Sequence, residues 1–312
     1  MTGGRPELSL VIPLYNEVES LPELYAALAA ALLPFADRCE LIFVDDGSTD
    51  GSFSRLATLR AGDTRVKAVR LRSNQGKAIA LSAGFREAQG DIVVTLDADL
   101  QDDPKEIPRF LEKVAGGYDL VCGWKARRHD AWSRRLLSAI FNRVTARLTG
   151  VWVHDANCGF KAYRRAVIEE LRLHGELHRF IPALAGWRGF RIGEIEVEHH
   201  ARKYGHSKYG AERIPRGFFD LLTVLMLTRF TTRPLHLFGV LGGLLGVVGF
   251  GVVGYLSIGW FFGRWIGARP LLLLGALMII TGIQLVSFGL LAEMIVYGSH
   301  REVDPPIESV LR

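Results

Sequence analysis

Two long apolar runs near the C-terminal end constrain the fold of this 312-residue chain more than any other feature. Residues 235–263 carry no formal charge, and residues 271–297 carry only Glu293. A helix needs about 20 apolar residues to cross a bilayer, so each run is long enough. The short turn between them predicts a hairpin of two transmembrane helices. Glu293 lies near the end of its run, where we expect it to snorkel to the membrane interface.

The positive charge of the chain is concentrated in two segments. Residues 124–150 contain seven Lys or Arg and one acid, and residues 200–233 contain seven and two. The second segment leads into the apolar runs, so a surface facing anionic lipid or phosphate explains the charge better than nucleic-acid binding. It also marks that side as cytoplasmic, although Arg264 and Arg269 in the turn weaken the asymmetry. Three isolated cysteines without a CxxC pair agree with a reducing compartment.

Short strands alternate with helices before the apolar runs. Strand patterns lie at 8–14, 40–44, 66–71, 92–96 and 118–123, and helical patterns lie at 21–33 and 77–88. This alternation predicts βαβ units and a mostly parallel sheet. No GxGxxG follows the first strand, which disfavours a dinucleotide-binding domain. Two further helices, at 132–148 and 218–230, suit the membrane interface, although a core-facing helix would give the same periodicity at 132–148.

Two carboxylates one residue apart, Asp97 and Asp99, follow the fourth predicted strand. Residues i and i+2 of a strand share a face, and open α/β sheets bind ligands at the carboxyl ends of their strands. Paired hard oxygens suit Mg²⁺ or Mn²⁺, with a substrate diphosphate supplying further ligands. An Asp-x-Asp alone also fits an acidic, solvated turn, so the assignment depends on its surroundings.

Polar residues also end the first two predicted strands. Tyr15 and Glu17 follow the first strand, and Asp45 and Asp46 open an Asp-Gly-Ser turn after the second. A carboxylate at this edge can accept the ring N–H of a base, and Tyr15 can pack on the base or ribose. Each segment alone would be an ordinary turn. Together with the Asp-x-Asp pair they indicate a nucleotide-diphosphate site.

Four segments in this order, IPLYNE, VDDGSTDGS, SNQGKAIALSAGF and LDADLQDDP, resemble family-two glycosyltransferases of the nucleotide-diphospho-sugar transferase (GT-A) fold. The segments at 155–161, 178–182 and 202–208 are similar to polyprenyl-phosphate glycosyltransferases, the group that includes dolichol-phosphate mannose synthase. The two-helix hairpin is most similar to the bacterial undecaprenyl-phosphate glucosyltransferase branch. The resemblance covers nearly the whole chain.

The resemblance implies a division of the chain and a location. An α/β GT-A catalytic domain would occupy residues 1–200, and a diphosphate-binding loop with a juxtamembrane interfacial helix residues 201–233. The hairpin would fill 234–298, and 299–312 would form a cytosolic tail. The protein would be a multi-pass protein of the bacterial inner (cytoplasmic) membrane with its catalytic domain in the cytosol. A homo-oligomer, taken as a tetramer, is also implied.

The resemblance further implies a role for each motif. The residues expected to hold Mg²⁺ or Mn²⁺ are Asp97, Asp99 and Gln101. Those expected around the nucleoside are Pro13, Tyr15, Glu17, Asp45 and Asp46. Those expected to contact the diphosphate or the acceptor are Arg202, Ser207, Lys208, Arg127 and Arg135. A loop of cations around Gly205 can fold over a diphosphate, although a basic juxtamembrane segment would have the same composition.

Asp155 and Asp99 are the expected catalytic residues, with Asp155 near the attacking acceptor. A phosphate with a second pKa of about 6 is largely dianionic at pH 7 and needs little help from a general base. Whether Asp155 acts as a base or orients the acceptor therefore stays open. The small-xxx-small spacings Gly239/Gly243 and Gly242/Gly246 permit close helix contact, within the hairpin or between copies.

The reaction implied is a metal-dependent, inverting transfer from a nucleotide-diphospho-sugar to a polyprenyl phosphate, giving a β-linked polyprenyl-phospho-sugar. The hairpin resemblance favours UDP-glucose and undecaprenyl phosphate, while GDP-mannose or another UDP-sugar would fit the same scaffold. A processive polysaccharide synthase is disfavoured because the chain has no Gln-x-x-Arg-Trp motif and too few apolar runs. A nucleotidyltransferase, and an inactive membrane scaffold that binds nucleotide, are the remaining alternatives.

Overall fold

The structure is a computed structural model that describes residues 5–125, 146–147, 150–171, 173, 177–200, 203, 226, 230, 234–263 and 270–298. The chain divides into two compact units, Met1–Val224 and Leu225–Arg312. Several predicted features lie outside the described residues: Arg127, Arg135, Arg202, Ser207, Lys208, and nearly all of the helices predicted at 132–148 and 218–230.

A seven-stranded sheet forms the centre of the first unit. Its strands, in chain order, are β1 (Leu8–Leu14), β2 (Cys39–Asp45), β3 (Val66–Arg70), β4 (Ile92–Thr95), β5 (Leu120–Trp124), β6 (Lys161–Arg164) and β7 (Ile192–Glu196). Their spatial order is β3-β2-β1-β4-β6-β5-β7. The pairs β1–β2, β1–β4, β2–β3 and β5–β7 are parallel, whereas β6 runs antiparallel to both β4 and β5. The predicted mostly parallel α/β sheet is confirmed.

Helices cover the sheet and bury its central strands completely. They are α1 (Leu21–Ala31), α2 (Ser52–Gly62), α3 (Lys77–Glu87), α4 (Ile107–Ala115), α5 (Arg165–Glu170) and α6 (Ile181–Trp187), with 3-10 turns at Leu33–Arg38, Pro104–Glu106 and Leu177–Phe180. Every residue of β1 and β2 is buried, as expected of strands covered on both faces. At Gly84, α3 lies so close to β1 that a Cβ would sit 2.2 Å from Cγ1 of Val11.

The second unit contains two long apolar helices, α7 (Pro234–Phe261) and α8 (Pro270–Gly298), packed against each other as a hairpin. By length and composition both are candidate membrane spans. Glycines allow the close packing: a Cβ on Gly242 would meet the carbonyl oxygen of Gly282 at 2.5 Å, and one on Gly249 would meet that of Gly275 at 2.8 Å. Gly242 of the predicted small-residue pairs therefore serves the hairpin itself.

Glu293 links the last turns of α8 to the first turn of α7 through a hydrogen bond. Its Oε2 accepts a hydrogen bond of 3.1 Å from the backbone N–H of Leu235, in the first turn of α7. N–H groups in the first turn of a helix lack partners within the helix, and a carboxylate there also complements the helix dipole. The snorkelling of Glu293 to a membrane interface stays a prediction.

Candidate active site

The loops that follow β1 and β2 are hydrogen-bonded to each other. The backbone N–H of Asn16 donates to Oγ of Ser48 at 2.8 Å, and Oδ1 of Asn16 accepts from the N–H of Thr49 at 2.9 Å. The N–H of Glu17 donates to Oγ of Ser52 at 3.0 Å. Asn16 has the left-handed φ of 52° that asparagine tolerates better than most residues. The structure thus brings Tyr15 and Glu17 to the same sheet edge as the Asp-Gly-Ser turn.

Asp45 and Asp46 are both buried, and both accept hydrogen bonds from backbone N–H groups of loops at this sheet edge. Oδ1 of Asp45 accepts from the N–H of Ser48 at 2.9 Å. The two oxygens of Asp46 accept from the N–H groups of Gln75, at 2.7 Å, and Gly76, at 2.9 Å. Burial raises the pKa of Asp46 above its ordinary value, although these two hydrogen bonds oppose the shift. Asp46 therefore shapes the loop that leads into α3.

The carboxylate of Asp97 lies where three segments meet: the end of β4, the start of α3 and the loop before β6. The Nζ of Lys77, the first residue of α3, donates to Oδ1 of Asp97 at 2.5 Å. A Cβ on Gly159 would lie 2.4 Å from Oδ2 of Asp97, so a larger residue here would force this carboxylate to shift. Burial raises the pKa of Asp97, but Lys77 outweighs it and lowers the pKa to about 2. Sequence reasoning assigned no role to Lys77 or Gly159.

Asp99 and Gln101 follow on a strained turn. Leu100 between them has a φ of 59°, which is rare for a branched side chain, and such strain clusters at functional sites. The N–H of Gln101 donates to Oδ1 of Asp99 at 3.3 Å, and both residues are half-buried. Two carboxylates and an amide oxygen are hard ligands of the kind that Mg²⁺ and Mn²⁺ prefer. Within the described part of the chain, no cluster of three His, Cys, Asp or Glu offers a fuller set.

A buried ion pair that sequence reasoning missed anchors this turn. Oδ1 of Asp102 lies 2.7 Å from Nζ of Lys125, just after β5, and the side chain of Asp102 is fully buried. Burial raises the pKa of Asp102, but His199 and Lys125 lower it below its ordinary value. The N–H of His200 also donates to the carbonyl oxygen of Gln101 at 2.9 Å. His200, the last described residue before the predicted diphosphate loop, therefore lies beside the predicted metal ligand Gln101.

Of the predicted diphosphate loop, residues 202–208, the structure describes Lys203, whose Nζ pairs with the carboxylate of Glu23 in α1. The remaining residues of the loop, and with them its three predicted ligands, lie outside the described part of the chain.

Asp155 lies on the loop that ends at Gly159 and is held by β7. Oε1 of Glu194 accepts from the backbone N–H of His154 at 2.7 Å and from that of Asp155 at 3.5 Å. Oε2 of Glu194 lies 2.9 Å from Nδ1 of His154, whose ring stacks on Trp124 with centroids 4.3 Å apart. Asp155 itself is 2% exposed. Because Gly159 of the same loop contacts Asp97, Asp155 belongs to the segment that closes on the predicted metal ligands.

Comparisons with known proteins agree on the family. The model of glycosyl transferase family 2 matches residues 9–172. Dodecaprenyl-phosphate galacturonate synthase of Rhizobium johnstonii is 41% identical over 307 residues, which is 96% of this chain and 90% of the relative. Undecaprenyl-phosphate 4-deoxy-4-formamido-L-arabinose transferase of Pseudomonas aeruginosa is 41% identical over 289 residues, 92% of this chain and 84% of that relative.

Solved structures show the same fold. Glucosyl-3-phosphoglycerate synthase of Mycobacterium tuberculosis, in complex with Mn²⁺ and UDP-glucose, gives a TM-score of 0.54 at 20% identity and covers 72% of this chain and 79% of that one. The same enzyme with Mg²⁺ and UDP also gives a TM-score of 0.54 over the same shares. Fold, family model and full-length relatives coincide: this chain belongs to glycosyl transferase family 2 and is one of its polyprenyl-phosphate glycosyltransferases.

Proposed function

We propose that the protein transfers a sugar from a UDP-linked donor to undecaprenyl phosphate, or a polyprenyl phosphate of similar length, with inversion at the anomeric carbon. Transfer from a nucleotide sugar to a polyprenyl phosphate follows from the family. The finer proposal is carried by one observation: the loop with Asp155 touches the carboxylate of Asp97 at the carboxyl end of β4. Donor and acceptor groups can thus meet beside one cluster of carboxylates.

The donor sugar is proposed from the relatives rather than from the hairpin. The hairpin resemblance favours UDP-glucose, and the relatives reported above are named for galacturonate and for 4-deoxy-4-formamido-L-arabinose. These names support UDP-galacturonate or UDP-4-deoxy-4-formamido-L-arabinose as donors ahead of UDP-glucose. They give no support to GDP-mannose.

The carboxylates of Asp97 and Asp99 and the amide oxygen of Gln101 would hold Mg²⁺ or Mn²⁺. When bound, such an ion neutralises charge on the donor diphosphate and on the departing nucleoside diphosphate. Lys77 adds a cation beside the same carboxylates. Pro13, Tyr15, Glu17, Asp45 and Asp46 would surround the nucleoside. Here Asp46 would act through the loop that its two hydrogen bonds fix.

The acceptor oxygen attacks the anomeric carbon while the bond from that carbon to the diphosphate breaks. Asp155 orients the acceptor phosphate or accepts its residual proton, and Glu194 fixes its position by accepting from the backbone N–H groups of His154 and of Asp155 itself. Arg202, Ser207 and Lys208 would neutralise the leaving diphosphate, and Arg127 and Arg135 would reduce the repulsion between the two phosphates.

Domain organisation, membrane topology and assembly remain proposals. The division at residues 200, 233 and 298, the cytosolic catalytic domain and the homo-oligomer all come from the sequence. Membrane association is supported by the two candidate spans and by the lipid substrates that the relatives' names state. Anchoring keeps the enzyme in the plane of its lipid acceptor, where proximity replaces a three-dimensional search.

The test is transfer of radiolabel from UDP-galacturonate, UDP-4-deoxy-4-formamido-L-arabinose, UDP-glucose and GDP-mannose to undecaprenyl phosphate in detergent with Mg²⁺ or Mn²⁺. We expect label in the lipid phase from one UDP-sugar, and its loss with EDTA or in Asp99→Ala. Asp91→Ala, an exposed aspartate before β4, is the matched control and keeps activity. Nucleotide binding without transfer from any donor would contradict the proposal and leave the inactive scaffold. Release of pyrophosphate would instead indicate a nucleotidyltransferase.

A further inference from the structure

A small polar pocket lies next to Asp97. It is enclosed by the first turn of α3, the ends of β4 and β6, the loop before β6 and the 3-10 turn Leu177–Phe180. Its polar lining consists of Lys77, Thr95, Asn157, Lys161, Tyr163 and His178. Lys77 and Gly159 both line this pocket and both contact the carboxylate of Asp97. A group bound in the pocket would therefore lie beside the donor diphosphate.

Lys161 is a buried lysine that the fold does not neutralise. It opens β6, is 2% exposed, and donates a hydrogen bond to the carbonyl oxygen of Cys158. In the described part of the chain it forms no ion pair with a carboxylate. A buried charge without an opposite charge is strongly destabilising, so such residues are usually paired. The position of Lys161 is consistent with a partner that arrives with the substrate.

His178 faces the same pocket without a hydrogen-bond partner. Its Nδ1 atom is buried, and no donor or acceptor among the described residues reaches it. Burial, together with the cations Lys77, Arg179 and Lys161, lowers the pKa of His178 to about 3. The ring is therefore neutral near pH 7 and can donate one N–H to a ligand. Two lysines, Lys77 and Lys161, line the same pocket, and Lys77 forms an ion pair with Asp97.

We propose that this pocket is an oxyanion subsite in which Lys161 and His178 bind a carboxylate of the donor sugar. This inference rests on the proposed function and specifies its donor as a UDP-linked uronic acid. A carboxylate would accept from Nζ of Lys161 and from the ring N–H of His178, which satisfies both buried groups at once. The donor diphosphate is not the oxyanion bound by Lys161 and His178 if it binds at Asp97 and Asp99. The acceptor phosphate offers the same oxyanion chemistry, and the experiment separates the two sources.

UDP-galacturonate and UDP-galactose form the natural probe pair, because they differ only in a carboxylate against a hydroxymethyl group at C6. In the wild type we expect kcat/KM to be higher for UDP-galacturonate by about 10²-fold, the effect of buried hydrogen bonds to a charged group. Lys161→Met, similar in length and without charge, should lower kcat/KM for UDP-galacturonate by a similar factor and for UDP-galactose by less than about threefold. Lys161→Arg should restore part of the preference.

If the acceptor phosphate is the bound oxyanion, Lys161→Met raises the KM for undecaprenyl phosphate equally with either donor. The ratio of kcat/KM for UDP-galacturonate to that for UDP-galactose is then unchanged. Lys67→Met is the matched control, because Lys67 lies in the edge strand β3, away from β6, and its Nζ lies 2.7 Å from the carboxylate of Glu40. It should lower stability without changing either readout. The proposal would be overturned if Lys161→Met and His178→Asn both fold and keep the donor preference and the KM for undecaprenyl phosphate within about twofold of the wild type.

Direct binding separates failure of this inference from failure of the proposed function. Calorimetric titration of the full-length wild type with each UDP-sugar needs no turnover. Tighter binding of UDP-galacturonate that is lost in Lys161→Met supports the subsite even if no transfer occurs. Equal binding of both sugars, with an unchanged KM for undecaprenyl phosphate in Lys161→Met, refutes it even if transfer is active.

Discussion

Gly159→Ala tests whether the loop before β6 sets the position of the Asp97 carboxylate. The added Cβ would lie 2.4 Å from Oδ2, 2.7 Å from Cγ and 2.8 Å from Oδ1 of Asp97. The shortest of these is about 1 Å below ordinary van der Waals contact at 3.4 Å. The loop cannot easily retreat, because Oγ1 of Thr95 donates to the carbonyl oxygen of Gly159 at 2.7 Å. The carboxylate must therefore move, and displacement of a reacting group by about 1 Å can cost about 10²-fold in rate.

The assay is kcat/KM for the preferred UDP-sugar together with the midpoint of thermal unfolding in detergent. We expect the rate to fall by about 10²-fold. Overpacking should destabilise the first unit by about 1–3 kcal/mol, or roughly 3–10 °C. Gly62→Ala in α2 is the matched control: nothing lies within 4 Å of its Cβ, so activity should be unchanged and stability slightly increased. A Gly159→Ala enzyme with activity within about threefold of wild type would refute the steric argument.

Three further predictions follow from buried carboxylates. Burial raises the pKa of Glu40, but Lys67, Ser9 and the N–H of Gln89 lower it overall. The stability that Glu40 contributes is therefore present above about pH 4.3 and is lost as the pH falls below it. Glu40→Gln should flatten the acid side of a plot of melting temperature against pH. Lys125→Met should reduce the free energy of unfolding in urea by about 3–5 kcal/mol, because it removes the lysine that lies 2.7 Å from the buried carboxylate of Asp102, and adding Asp102→Asn should recover part of this loss. Glu194→Gln should lower kcat about tenfold by loosening Asp155, with the Kd for UDP unchanged; an equal loss of UDP affinity would contradict this positioning role.

The sequence predicted the parts of the fold that local patterns determine. β1 to β5 correspond to apolar runs that end in turn residues, and all five were anticipated within a few residues. β6 and β7 were not predicted, and for β6 the reason is physical. β6 is four residues long and carries Lys161 and Arg164, and its apolar character comes from Tyr163 and Ala162. Its pairing with β4 and β5 is antiparallel and long-range, so its sequence alone resembles a loop.

Positions in the candidate site were easier to predict than interactions. The carboxyl ends of parallel strands must meet at one edge, which places Asp45, Asp46 and Asp97 there. Sequence could not show that both oxygens of Asp46 would be taken by the N–H groups of Gln75 and Gly76. A carboxylate after a strand can bind a ligand or a loop, and only the tertiary structure decides between them. The nucleoside contact assigned to Asp46 from resemblance is thus one that it would share with the backbone of its own domain.

The same distinction explains why the reaction class was recognisable and the donor sugar was not. The proposed reaction would bring a cation, a diphosphate and an acceptor together at Asp97, and the groups around it belong to separate motifs that the chain keeps in order. Selection among sugars would depend on what lines the pocket next to that carboxylate. In the proposed subsite, Lys161 would act through its burial, and His178 through a buried Nδ1 atom that no described residue reaches. Both properties arise from contacts between segments that are distant in the sequence, so the choice of sugar would be specified by tertiary contacts that no motif records.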